Sequence, residues 1–185
     1  MTHNLALEID HQHEHAGWID CWLMLDDERY HLDASWVFPP FLPLLRFLKA
    51  IKGQRFPAHC YWDEEGTVAD FTATAVAEDS PLMHLRIVYD EGDTLWFDGV
   101  IERDIVIQAL LPPLLDFFEN FPRAESQWEA PKRVVGQLHR AIVKGIPLRS
   151  DIHSPQPVEV GVQGRYDLAL VDGRVFFNIM FEAET

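Results

Sequence analysis

Residues 56–101 alternate strand-like apolar runs with short acidic turns, and this alternation constrains the fold more than any other feature of the sequence. The runs occupy residues 56–62, 67–77, 82–89 and 94–101. The segments between them are rich in Asp, Glu, Ser and Gly, which favour tight turns between paired strands. Strands joined in this way pair antiparallel with their neighbours. The segment therefore predicts a four-stranded meander.

The preceding segment predicts another hairpin and then a helix. The apolar run WIDCWLML, the acidic tip Asp26-Asp27-Glu28 and the run RYHLDASWVF follow one another. In the second arm, alternation places His31, Asp33 and Ser35 on one face. Asp33 and Asp98 are interpreted as turn caps, because aspartate readily bonds local amides, and the alternative is that they act as acids in a cleft. From Phe41 to Ile51 the apolar residues recur at helical spacing, and Gly53 is the expected stop.

Later segments predict further helices and a last hairpin. A helical pattern opens near Asp104, and Pro112-Pro113 should kink it or divide it into two short helices. Another helix is expected from about residue 125 or 131 to 143, and a final hairpin turns at Asp172-Gly173. The sequence thus predicts an α+β fold: a mainly antiparallel sheet, a meander of hairpins, with helices packed on one face and a C-terminal β-hairpin.

Length and composition favour one ordered domain. A chain of 185 residues with 48% hydrophobic residues, 12 Phe and 6 Trp can bury a substantial core. We expect a single domain over residues 1–185, with a possible subdivision into 1–122 and 123–185. The start, MTHNLALEID, has neither a basic segment nor a long apolar one, so a cytoplasmic protein is expected. Cys21 and Cys60 lie among large apolar residues and are expected to be buried free thiols.

The charge bears on the class of partner. Thirty acidic against fifteen basic side chains give a net charge of −15, which repels phosphate backbones and anionic lipids. We therefore expect neither a nucleic acid nor a membrane as partner. Composition does not choose between a basic protein partner, cations and a charge that serves solubility alone. In charge and size the chain resembles bacterial toxin-immunity proteins, which neutralise basic partners. A homo-oligomer is a further possibility.

The N-terminal tract DHQHEH is the candidate metal site. If it is extended, residues two apart point the same way, so His11, His13 and His15 would share a face. Imidazoles in that arrangement can bind zinc, copper or nickel. The competing interpretation is a solvated lead-in to the fold, since exposed histidines near a terminus are common. No resident cofactor is expected.

Acidic turns of the meander are the candidate partner-binding residues. Alternate turns of a meander lie at the same end of the sheet, so the first and third should be neighbours. The acidic residues of these two turns are Asp63, Glu64, Glu65, Asp90, Glu91 and Asp93. Such carboxylates repel one another unless a cation or a basic partner lies between them. The competing interpretation is that turns favour Asp and Gly for backbone reasons alone.

These observations favour a non-catalytic, acidic protein-interaction module that binds through a sheet edge or the acidic turns. The short motifs of common enzyme classes, such as GxSxG, the P-loop, GxGxxG and HExxH, are absent from the sequence. One alternative is a metal-dependent enzyme or metal-binding protein that uses the N-terminal histidines. A second alternative is a structural or oligomerising domain.

Overall fold

The α+β architecture is confirmed by a computed structural model of the chain. The structure describes residues 3–90, 94–128, 131–144, 165–171 and 174–180. It divides into two compact units, Met1–Leu148 and Arg149–Thr185, which are taken separately below.

A three-stranded antiparallel sheet opens the first unit. Its strands are β1 (Leu5–Ile9), β2 (Trp18–Leu25) and β3 (Glu28–Ser35), in the order β1-β2-β3. The predicted β2–β3 hairpin is confirmed: Leu25 pairs with Glu28, and Asp26 lies in the turn with φ 54°. Buried and partly exposed residues alternate strictly along β2, so one face of the sheet joins the core.

The predicted meander is confirmed as a second antiparallel sheet of four strands. Its strands are β4 (Ala58–Asp63), β5 (Val68–Ala75), β6 (Leu82–Tyr89) and β7 (Thr94–Glu102), paired in sequence order. The pairing shifts within β7, where Phe97 opposes Ile87 and Leu95 opposes Val88. Trp96 is therefore the extra residue of a β-bulge, which redirects its ring.

Helices pack on both sheets. Helix α1 (Phe41–Lys52) ends as predicted, with the Gly53 amide donating to the Lys49 carbonyl at 3.0 Å. It packs on β4, while α2 (Arg103–Asn120) packs on β1 and β7. Of the two outcomes expected at Pro112-Pro113, division into two helices does not occur, because the helix continues through both prolines with buried apolar residues on either side. A kink at this position stays a prediction. The third predicted helix, with its start expected near residue 125 or 131, is confirmed as α4 (Lys132–Lys144), which packs on α1. A short helix, α3 (Ala124–Gln127), precedes it.

One hydrophobic core joins the two sheets to the helices. It includes Leu23 of β2, Leu48 of α1, Phe71 of β5 and Leu114 of α2. Cys21 and Cys60 are both buried and free, as predicted, and burial raises the pKa of each thiol. Among the described helices, none has the length and apolar character needed to cross a bilayer.

The second unit contains a pair of antiparallel strands. These are β8 (Arg165–Val171) and β9 (Arg174–Met180), whose register pairs Val171 with Arg174. The turn expected at Asp172-Gly173 lies outside the described residues.

Candidate functional site

The N-terminal histidines lie on and beside a 3-10 turn, His11–His13, and the expectation of an extended strand is wrong. The His11 ring packs edge-on against Phe117 of α2 and against Phe121, which directly follows the helix, with ring centroids 6.3 and 6.5 Å apart. His13 turns away, and its Nδ1 lies 2.8 Å from the Asp10 carboxylate. His11 is therefore partly buried against α2, while His13 is exposed.

This turn does not gather the three imidazoles. His15 forms an isolated bridge with Trp18, and its Nδ1 lies 3.4 Å from the His13 carbonyl oxygen. Within the described part of the chain, the three potential metal ligands that lie close enough to share one ion are not these histidines but residues of the β2–β3 hairpin, described below. A metal held by His11, His13 and His15 stays a prediction.

The first and third turns of the meander are neighbours, as the strand order requires. The Asp90 amide donates to the Val68 carbonyl at 3.0 Å, next to the β4–β5 turn. Within that turn, the Asp63 carboxylate accepts a hydrogen bond from the Gly66 amide at 3.2 Å. Glu91 and Asp93 lie outside the described residues. The described acids of both turns therefore share one end of the second sheet.

Two of these acids make hydrogen bonds with residues of the first sheet. Glu64 Oε1 accepts from the Asp33 amide of β3 at 2.8 Å, and Glu64 Oε2 accepts from the Tyr89 hydroxyl at 2.7 Å. The Glu65 carboxylate accepts from the Ser35 hydroxyl. The β4–β5 turn therefore joins the two sheets, a role that the sequence analysis did not foresee.

Burial changes the acidity of the groups at this junction. Burial raises the pKa of Glu64, and its hydrogen bonds from Tyr89 and the Asp33 amide oppose that rise. Burial together with the bond to Glu64 raises the pKa of Tyr89 to about 12. The Tyr89 ring stacks on Trp96 of the bulge at 4.5 Å, and Trp96 stacks on Tyr30 of β3 at 4.6 Å. Polar and aromatic contacts therefore both connect the sheets.

Glu64→Gln should change how stability depends on pH. Because the folded pKa is raised, the folded protein keeps this proton at a pH where the unfolded chain has released it. The resulting contribution to the free energy of unfolding is complete below the ordinary pKa of 4.5 and is lost as pH rises through the folded value. Urea unfolding between about pH 4 and pH 8 should show wild-type stability falling relative to the variant as pH rises.

A matched variant, Tyr89→Phe, keeps the aromatic stack and removes the bond that lowers the Glu64 pKa. In a Tyr89→Phe background, the fall in the free energy of unfolding should then continue to a higher pH than in wild type. A wild-type free energy of unfolding that stays constant or rises relative to that of Glu64→Gln as pH increases would contradict the assignment.

A second polar cluster lies on the partly exposed face of the β2–β3 hairpin. Asp20 and Asp33 oppose each other in register, so the interpretation of Asp33 as a turn cap is wrong. His31 Nε2 lies 2.9 Å from Asp20 Oδ1 and 3.6 Å from Asp33 Oδ1. One potential ligand atom from each residue lies within 4.8 Å of the others. This is the cluster in the described residues with the composition of a metal site.

The loop between β3 and α1 exposes three consecutive large apolar side chains. Trp36, Val37 and Phe38, here called the apolar loop, are 45%, 56% and 43% exposed. The Trp36 amide donates to the Gly17 carbonyl at 3.0 Å, and the Val37 amide donates to Ser35 Oγ at 3.0 Å. Apolar side chains exposed together on an ordered loop are typical of a binding surface.

Comparisons with protein-family models, with curated proteins and with solved structures give no match to this chain. The function must therefore be inferred from the chemistry of the protein surface. The apolar loop can make hydrogen bonds and apolar contacts with a binding partner. The acidic residues around the loop can attract a partner of opposite charge.

Proposed function

We propose that this chain is a non-catalytic protein-interaction module that binds a basic protein through the apolar loop. The observation that carries the proposal is the exposure of Trp36, Val37 and Phe38, since each leaves close to half of its surface in water. Burying such side chains against a partner contributes about 25 cal/mol for each Å² of apolar surface. Tryptophan and phenylalanine are also common anchors of protein interfaces.

The backbone holds the apolar loop in place before any partner arrives. Its first two amides are hydrogen-bonded to Gly17 and Ser35, and Pro39-Pro40 restrict the chain that follows. Gly17 has φ +90°, and a Cβ there would lie 2.6 Å from Trp36 Nε1, so the ring rests directly on the glycine backbone. A preorganised loop loses little conformational entropy on binding.

Charge supports a basic partner over a second copy of the chain. Glu65 is exposed and bonded to Ser35 at the base of the apolar loop. The chain carries a net charge of −15, so two copies repel each other while a basic surface is attracted. Glu64 and Glu65 bond residues of β3, whereas the Asp63 carboxylate bonds the Gly66 amide of its own turn. Asp63 and Asp90 are therefore the described turn acids that such a partner would meet with least cost to the junction of the two sheets.

The triple variant Trp36→Ser/Val37→Ser/Phe38→Ser should lose partner binding with its fold intact. Immobilised wild-type protein should retain a basic protein from lysate at low salt and release much of it at about 0.5 M NaCl. The triple variant should retain at least about tenfold less of that same protein, because each lost anchor costs about 1 kcal/mol or more. Mass spectrometry identifies the retained protein, and titration of the purified partner gives the affinities.

A matched control replaces three exposed apolar residues elsewhere, Val76, Leu95 and Val100, by serine. Their exposed fractions of 48%, 55% and 45% resemble those of the apolar loop. This control should bind like wild type. Equal retention by the loop variant and wild type would refute the proposal. So would a loop substitution that only converts an oligomer to a monomer, which would favour the oligomerising alternative.

A further inference from the structure

We infer that Asp20, His31 and Asp33 bind one divalent transition-metal ion. The three side chains project from neighbouring strands: Asp20 opposes Asp33, and His31 lies two residues before Asp33 on the same face. Zinc bonds of about 2.0–2.2 Å place neighbouring ligand atoms roughly 3–4 Å apart. The potential ligand atoms already lie within 4.8 Å of one another, so small side-chain rotations would bring them to one ion. This inference is independent of the interaction proposed above.

The charges on this face favour a cation. Two carboxylates directly opposite each other on paired strands destabilise a sheet unless something neutralises them. Here both are paired with a single imidazole, that of His31. A divalent ion would neutralise both aspartates at once, which a protonated imidazole cannot do.

The ligand types select the class of ion. An imidazole with two carboxylates suits zinc, manganese or iron(II), whereas calcium and magnesium prefer sites made of oxygen atoms alone. His31 is exposed and both aspartates are partly exposed, so a bound ion would keep positions open for water. The arrangement therefore fits a borderline ion with three protein ligands.

The backbone around the cluster is held from the other sheet. The Asp33 amide donates to Glu64, and the Asp33 carbonyl accepts from Trp62 Nε1 at 2.9 Å. The His31 ring packs against Trp22 at 5.6 Å. Ligands with fixed backbones bind a metal with a smaller entropic cost.

Zinc titration of untagged, chelator-treated protein tests the site. At about pH 7.5, where free imidazole is largely neutral, calorimetry should find one zinc per chain. His31→Ala, Asp20→Asn and Asp33→Asn should each weaken binding by about tenfold or more. The Asn variants keep the size of the side chain, and circular dichroism checks that each variant is folded. Cobalt(II) absorption should report an imidazole-ligated ion in wild type and lose that signature in His31→Ala.

Two controls separate this site from other histidines. His84 lies 2.6 Å from Asp98 on the second sheet, so His84→Ala removes a comparable imidazole–carboxylate pair and should leave binding unchanged. The variant His11→Ala/His13→Ala/His15→Ala should also bind like wild type. Loss of zinc in that N-terminal variant, with binding preserved in His31→Ala, would overturn the inference and favour the N-terminal tract. Absence of stoichiometric binding in wild type would overturn it as well.

Discussion

Trp62→Ala should lower the free energy of unfolding by about 3–5 kcal/mol. The indole is completely buried, and its ring packs edge-on against Phe41 of α1 at 5.6 Å. Its Nε1 also donates to the Asp33 carbonyl across the two sheets. Alanine would leave a cavity and deprive that carbonyl of its donor. Because domains of this size are stable by only about 5–15 kcal/mol, urea unfolding should show a large shift in midpoint.

Two further variants separate the contributions that the buried volume and the hydrogen bond of Trp62 make to stability. Trp62→Phe keeps much of the apolar volume and removes the donor, so its cost should be smaller, about 1–3 kcal/mol. Trp36→Ala makes the same truncation at an indole that is 45% exposed, and it should cost about 1 kcal/mol or less. If Trp62→Ala proved no more destabilising than Trp36→Ala, the Trp62 indole would not be a main contributor to the contact between the sheets.

Phe117→Ala should lower the free energy of unfolding by a comparable amount, again about 3–5 kcal/mol. Phe117 is fully buried at the centre of an aromatic cluster, with ring centroids 4.3 Å from Phe41, 5.2 Å from Phe121 and 5.6 Å from Trp128. Helix α2 carries two prolines, each without an amide donor, so it depends on tertiary packing more than an ordinary helix does. Chemical unfolding followed by far-ultraviolet circular dichroism measures the loss.

Leu115→Ala is the matched control in the same helix. Leu115 is only partly buried, so its truncation should cost about 1–2 kcal/mol less than that of Phe117. Equal costs at the two positions would show that the aromatic cluster is not the main support of α2. Since the His11 ring also packs on Phe117, Phe117→Ala should loosen the 3-10 turn at His11–His13.

Local patterns predicted the hairpins and the first helix. In β2 and β3 the alternation of residues and the acidic turn both reflect contacts between near neighbours in sequence. The same holds for α1, whose apolar spacing and final Gly53 are local signals. The division expected at Pro112-Pro113 failed because burial of the surrounding apolar side chains keeps α2 continuous, and burial depends on distant partners.

The Asp20–His31–Asp33 cluster could have been found from the sequence. A two-residue turn at Asp26-Asp27 fixes the register, and the register places Asp20 opposite Asp33. Alternation along β3 places His31 and Asp33 on one face, and the pairing with β2 adds Asp20 to that face. The internal bonds of Glu64 and Glu65 are different, because they depend on how two separate sheets meet. Turn composition alone carries no information about such contacts between sheets.

The stack of Tyr30, Trp96 and Tyr89 gives this protein a built-in optical probe. Ring centroids only 4.6 and 4.5 Å apart allow the electronic transitions of neighbouring rings to couple. One ring comes from β3, while the other two come from β7 and β6. Near-ultraviolet circular dichroism should therefore carry a signal that reports how the two sheets are placed against each other. Loss of that signal before the far-ultraviolet signal would show that the sheets separate before their strands unpair.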